Sequence, residues 1–237
     1  MLGFLLCMTR STGEETEGIT MDMDTIRRML EEARPSFYRY PNPVVVYWHW
    51  TAGGHYTSFR DYHFCIDGDG EIICSRPLDT IPTATWHRNT GSIAIALCCC
   101  LDAQAYRDPW RARLGDEPPT EEQIESLAML SAAIADVFDI PVDAEHFMTH
   151  AEAGRSGRYG PATTCERWDL AVLSEDDEWM SGGTHFAERL NFIWNRGESM
   201  LKVVNNGISL TRGDTATFRL QNQKSRRHQL RNHSDDQ

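Results

Sequence analysis

Residues 44–54 read VVVYWHWTAGG. β-Branched and aromatic side chains fill most of the first seven positions, the composition of a strand covered on both faces, and Gly53-Gly54 breaks the run. His49 interrupts it near its end. An imidazole there is either a hydrogen-bonded core group or a ligand presented at a strand end. The rest of the chain has to decide between them.

Working outward, Tyr62–Ile66, Glu71–Arg76 and Ser92–Cys99 read as further strands, and His146–His150 as a short one. Asp67-Gly68-Asp69-Gly70 marks a hairpin between two of them, with glycine supplying positive φ. SIAIALCCC (92–100) carries almost no polar residue on either face, which makes its strand central. Ile26, Met29, Leu30 and Ala33 recur at helical spacing, and Pro35 is expected to close that helix. Thr120 and Gln123 form a capping-box pattern ahead of Ile124, Leu127, Ser131, Ile134 and Phe138 on one helical face. A last helix is expected from about Thr184 to Asn195, burying Phe186, Leu190, Ile193 and Trp194. Strands and helices interleave without a strict βαβ repeat. The expected fold is therefore α/β of α+β character, a central mixed β-sheet flanked by helices.

The 237 residues suffice for one large domain with a proper core. A formal net charge of -12 excludes general nucleic-acid binding, because a phosphate backbone repels it. That charge is uneven, since Arg212–Gln237 carries more basic than acidic residues. The expected division is a flexible lead-in over 1–20, the main domain over 21–197 and a short tail over 198–237. In the tail LKVVNNGISL and LTRGDTATFRL resemble small strand pairs, whereas QKSRRHQLRNHSDDQ is too poor in apolar residues to fold. The apolar run in MLGFLLC lacks a basic segment before it and is too short to span a bilayer. Neither a cleavable export signal nor a transmembrane segment is expected, and a monomer is. Seven cysteines, three of them consecutive at 98–100, make no tidy disulfide framework and read as reduced core residues.

His49 has possible company. His150 closes HFMTH, and Asp169 stands in WDL at 168–170. Two neutral imidazoles and one carboxylate make a three-ligand zinc site with an open fourth position. A single anionic ligand leaves the metal electrophilic enough to acidify a water. The remaining histidines read differently. His63 is expected in the sheet and His146 in an extended stretch, both structural, while His55 either touches substrate or caps the Gly53-Gly54 turn. The acidic SEDDE at 174–178 reads as a solvated loop.

From about Pro43 to Leu170 the chain resembles the type-2 N-acetylmuramoyl-L-alanine amidases, which share their fold with peptidoglycan recognition proteins and phage amidase-type lysozymes. Four blocks in order carry the likeness: VVVYWHWTAGG, DYHFCIDGDGEI, TWHRNTGSIAIAL and MTHAEAG…ERWDL. The resemblance implies one zinc ion per chain on His49, His150 and Asp169, with peptidoglycan or its muropeptides as substrate. It sets Arg167 where many members carry an oxyanion-stabilising lysine, and Tyr62 where phage members have a tyrosine near the metal. Trp86, His87 and Asn89 would wall the substrate groove. Three departures stand out. Ala96 occupies the place of a catalytic glutamate found in some relatives, so water activation falls to the metal helped by Tyr62. Arginine at 167 keeps the charge but offers a wider planar fork. The loop from Ala151 to Glu166 is long and holds Cys165, and some relatives ligate zinc through cysteine; Asp169 is favoured because Arg167-Trp168-Asp169 keeps the basic residue two places before the ligand. The implied activity is hydrolysis of the amide between N-acetylmuramic acid and L-alanine, by a phage or prophage endolysin. A muropeptide-recycling amidase, a non-catalytic peptidoglycan receptor and a tail-associated structural module are the alternatives.

Overall fold

The computed structural model describes residues 7–8, 19–106, 109–155 and 168–205. Its main sheet has six strands: β2 (Ile19–Met21), β3 (Val45–Trp50), β4 (Phe64–Ile66), β5 (Ile72–Cys74), β6 (Ser92–Leu97) and β9 (Phe147–Thr149), in the order β2-β5-β4-β6-β3-β9. β4, β6, β3 and β9 run parallel, while β5 and β2 are antiparallel additions at one edge, so the sheet is mixed as expected. The Asp67–Gly70 turn joins β4 to β5, with Gly70 at φ 83°. A small second sheet pairs β1 (Cys7–Met8), β7 (Gln104–Tyr106) and β8 (Arg111–Arg113). Two pieces of the expected lead-in, Cys7–Met8 and Ile19–Thr20, are thus strand residues, tied down by main-chain pairing with β7 and β5.

β6 is fully buried between β4 and β3, as its lack of polar residues dictates. Its alternation is one of size. Ile93, Ile95 and Leu97 join Val46, Trp48, Trp50, Phe64 and Ile66 in the main core. Ala94 and Ala96 point the other way, into a smaller cluster with Cys65, Cys98, Phe59 and Tyr62. Side chains alternate faces along a strand, so His49 belongs to this small-residue side, in register with Ala96.

The helices cover the large-residue side. α1 (Met23–Phe37) starts at Asp22, whose carboxylate accepts the Thr25 N–H at 2.8 Å. It runs two residues past Pro35 rather than ending there. Proline so near the C-terminus removes one helical hydrogen bond, and Phe37, packed edge-on to Phe138 at 5.1 Å, holds the last turn. α2 (Glu121–Phe138) carries the expected capping box on Thr120 and Gln123. The Gln123 amide also donates to the carbonyls of Ile66 and Cys98, at 3.0 and 2.9 Å, and Ser131 accepts from Trp48 Nε1 at 3.0 Å.

Further along, α3 (His150–Arg155) follows β9 directly, and α4 (Gly182–Asn205) buries Phe186 and Leu190 against the core. α4 is longer than expected. Leu201–Asn205, expected as a hairpin arm, is helical, because Glu198, Met200, Leu201 and Lys202 are strong helix formers that carry the helix past Gly197. The strand pair expected in LTRGDTATFRL lies outside the described residues. The chain divides into two compact units, residues 1–194 and 195–237. Cys65, Cys74, Cys98, Cys99 and Cys100 are free thiols. Burial pushes the Cys100 thiol pKa up, so it stays protonated.

Candidate metal centre

His49 is delivered by β3, which pairs in parallel with β6 over its whole length on one side and with β9 over Val46–Trp48 on the other. Its neighbours Trp48 and Trp50 anchor the strand in the core on the opposite face. His150 arrives by a different device. Thr149 Oγ1 accepts the Glu152 N–H at 3.1 Å, and Glu152 returns its carboxylate to the Thr149 N–H at 2.8 Å. This reciprocal cap makes His150 the first residue of α3 instead of the end of a strand. Asp169 lies on a turn fixed by Ala171 N–H to Trp168 O (2.9 Å), and its own carbonyl accepts from Ala151 N–H at 3.2 Å.

The three side chains meet. Asp169 Oδ2 lies 3.2 Å from His49 Nδ1 and 3.0 Å from His150 Nδ1. The two imidazoles pack edge to face at 4.4 Å between centroids. All three residues are buried, and their ligand atoms lie within 4.8 Å of one another. Burial raises the Asp169 pKa, but the His150 imidazole, and after it His49, outweigh burial and hold the carboxyl well below its usual range. Asp169 is therefore ionised at any working pH. His150 Nε2 is buried without a hydrogen-bond partner, so the ring's polar needs are not met by protein alone. Two ring nitrogens and one carboxylate oxygen in this arrangement fit a divalent cation of the zinc kind.

Tyr62 is buried on the same side, its ring 5.2 Å from that of His49 and its hydroxyl 3.4 Å from the Trp50 carbonyl. Trp86 is 68% exposed and sits edge-on to His87 at 4.5 Å, on the loop that leads out of the site. The Asn89 side chain is turned inward, its Oδ1 accepting the N–H groups of Ala84 (3.1 Å) and Thr85 (2.7 Å). Arg167 and Cys165 lie outside the described residues.

Three further histidines make contacts within the fold. His63 Nε2 donates to the Thr80 carbonyl at 3.0 Å while Nδ1 accepts the Ala94 N–H at 3.1 Å, which uses up both nitrogens. Burial lowers its pKa to about 4. His146 pairs with Asp143 at 2.8 Å. His55 bonds the Pro118 carbonyl through Nε2 at 2.8 Å and receives Gly68 N–H on its own carbonyl, tying two loops together.

Two participants escaped the sequence reading. One is the Thr149–Glu152 cap, legible in MTHAEAG as T-x-x-E but masked there by the extended look of FMTH. The other is Thr85, fully buried, with Oγ1 3.1 Å from His49 Nε2. A lone threonine carries no signal until its partner is known. A separate cleft of about 840 Å³, lined by Leu114, Pro118, Ile124, Leu173, Asp177 and Phe192 among others, includes none of the three converging residues.

A family model described as N-acetylmuramoyl-L-alanine amidase matches residues 39–167. No curated protein matches the chain. Among solved structures, it is similar to the endolysin N-acetylmuramoyl-L-alanine amidase LysCS from Clostridium intestinale, at 20% identity over 53% of this chain and 82% of that one, with a TM-score of 0.36. It is also similar to the Ph2119 endolysin of a Thermus scotoductus bacteriophage, at 18% identity over 55% of this chain and 92% of that one, with a TM-score of 0.37.

Proposed function

Because the chain belongs to the N-acetylmuramoyl-L-alanine amidase family, we propose that it is a zinc-dependent hydrolase cutting the amide between the lactyl group of N-acetylmuramic acid and the first L-alanine of the stem peptide. The observation that carries this reading is the buried convergence of His49, His150 and Asp169 within 4.8 Å. A zinc ion held by these residues supplies a Lewis acid that polarises a carbonyl and lowers the pKa of a water.

The chain's own residues do the rest. Asp169 contributes the one negative charge of the ligand set, and its Oδ2 lies against Nδ1 of both imidazoles, at 3.2 and 3.0 Å. The small Ala94 and Ala96 side chains leave room for the His49 ring on this side of the sheet. Tyr62, whose ring lies 5.2 Å from that of His49, carries the phenolic hydroxyl that would turn from the Trp50 carbonyl to donate to the oxyanion of the tetrahedral intermediate. Arg167, two residues before Asp169, supplies a second, permanently charged donor for the same oxygen. Trp86 and His87, exposed on the adjoining loop, offer aromatic surface to a sugar ring or its lactyl-peptide arm. Tyr62 together with alanine at 96 follows the phage-type pattern, and we place the activity in a phage or prophage endolysin acting on the bacterial wall. No helix among the described residues is long and apolar enough to cross a membrane.

Digestion of purified peptidoglycan tests the reading. New N-terminal alanine should appear with no new reducing sugar, a chelator should stop the reaction, and added zinc should restore it. Reducing ends without free alanine would point to glycosidase chemistry, which needs a carboxylate pair flanking a sugar linkage. Tight wall binding with neither product would make the protein a receptor.

A further inference from the structure

We propose that Thr85, held in place by Asn89, is a positioning residue that dictates which nitrogen of His49 meets the metal. The inference rests on the metal-site reading above. His49 has two ring nitrogens with different partners: Nδ1 faces Asp169 Oδ2 at 3.2 Å, and Nε2 faces Thr85 Oγ1 at 3.1 Å. A hydroxyl that accepts the Nε2–H leaves the Nδ1 lone pair free, aimed at the point where the His150 nitrogen and the Asp169 oxygen also converge. Both groups are fully buried, so water cannot replace either partner.

Thr85 does not reach this position by strand geometry. It sits on the loop between β5 and β6, where its main chain is fixed from inside the loop. Asn89 Oδ1 accepts both the Ala84 and the Thr85 N–H, and two donors on one atom identify it as the amide oxygen. The Thr85 carbonyl accepts from Arg88 N–H at 3.0 Å, closing a turn in which His87 takes a φ of 57°. Asn89 is anchored in turn, since its carbonyl accepts from Ser92 N–H (3.2 Å) and Ser92 Oγ (2.9 Å) at the first residue of β6. A continuous hydrogen-bonded path therefore runs from the start of the central strand, through Asn89 and Thr85, to His49. His150 has no such support, because its Nε2 has no partner. The two imidazoles are thus unequal: the Thr85 contact sets the ring orientation and tautomer of His49 alone.

The test compares full-length wild type, Thr85→Val, Thr85→Ser and Asn89→Ala by competitive zinc titration, and by ¹⁵N–¹¹³Cd coupling in the cadmium-loaded protein. Valine keeps the shape of threonine and removes only the hydroxyl. Thr85→Val should bind zinc about 10- to 100-fold more weakly, and Asn89→Ala toward the lower end of that range. Thr85→Ser, which keeps the hydroxyl, should restore near-wild-type affinity. In wild type the cadmium coupling should run through Nδ1 of His49, a readout that needs no variant to fold. Equal zinc affinity in Thr85→Val and wild type, or coupling through Nε2, would overturn the positioning role while leaving the metal site intact. A wild-type chain that takes up neither metal would overturn the metal-site reading itself, and the positioning role with it.

Discussion

The two faces of the central sheet are built from the same strands to opposite ends. On one, Val46, Trp48, Trp50, Ile93, Ile95 and Leu97 interlock with the helices and hold the fold. On the other, Cys65, Ala94, Ala96 and Cys98 are small, and the space they leave is taken by Tyr62 and His49. Large side chains on the first face pin the strand, and small ones on the second let a ring nitrogen reach its partners. Stability and chemistry are therefore separable on β3 by a single step in sequence, and substitutions on the two faces should fail in different ways.

The largest effect is expected at the ligands. His49→Ala, His150→Ala or Asp169→Ala should each take zinc content from about one per chain to near zero, since two remaining ligands rarely hold the ion against water. Metal analysis of the purified variants checks this, and a fully occupied site in any of them would remove that residue from the ligand set. On the opposite face, Trp48→Ala should cost about 3–5 kcal/mol of stability by opening a cavity beside Phe147 and Phe186. Urea unfolding measures it, and the folded fraction should still bind zinc.

His63 sharpens the contrast, as a buried imidazole used for structure. Its folded pKa, lowered by burial to about 4, lies below the ordinary 6.5. The folded state keeps it neutral while the unfolded state takes up a proton below 6.5. Its contribution is complete above that pH and is lost as the pH falls toward about 4, for a total of about 3 kcal/mol. Unfolding free energies measured between pH 7 and 4 should show this loss, and His63→Gln should remove that part of the slope.

Smaller again is the effect of Tyr62→Phe or Arg167→Ala, each expected to slow amide hydrolysis about 100-fold with zinc retained, because both act on developing charge. Loss of metal in either would make that residue part of the metal's support. The smallest effect should come from Cys165→Ser, with zinc content and rate close to wild type. A cysteine variant without metal, beside an Asp169→Ala that keeps it, would reverse the choice of third ligand.

The sequence by itself determined five of the six main-sheet strands, β2 being missed, together with the central place of SIAIAL, the hairpin at Asp67–Gly70, the capping box of α2 and the candidate trio of ligands. These follow from composition and short periodicities, which are local, or from motifs that keep their order along the chain. Only the tertiary structure decided that the trio meets, because Asp169 is 120 residues from His49 and 19 from His150. Their approach depends on the parallel pairing of β3 with β9, which no local pattern encodes. The same holds for the hydroxyl of Thr85 and for the inward turn of Asn89. A polar side chain in a loop gives no sign of its partner until the fold has brought that partner to it. Where propensity and packing disagreed, as at Pro35, packing prevailed, since the Phe37–Phe138 contact outweighs one missing hydrogen bond at the end of a helix.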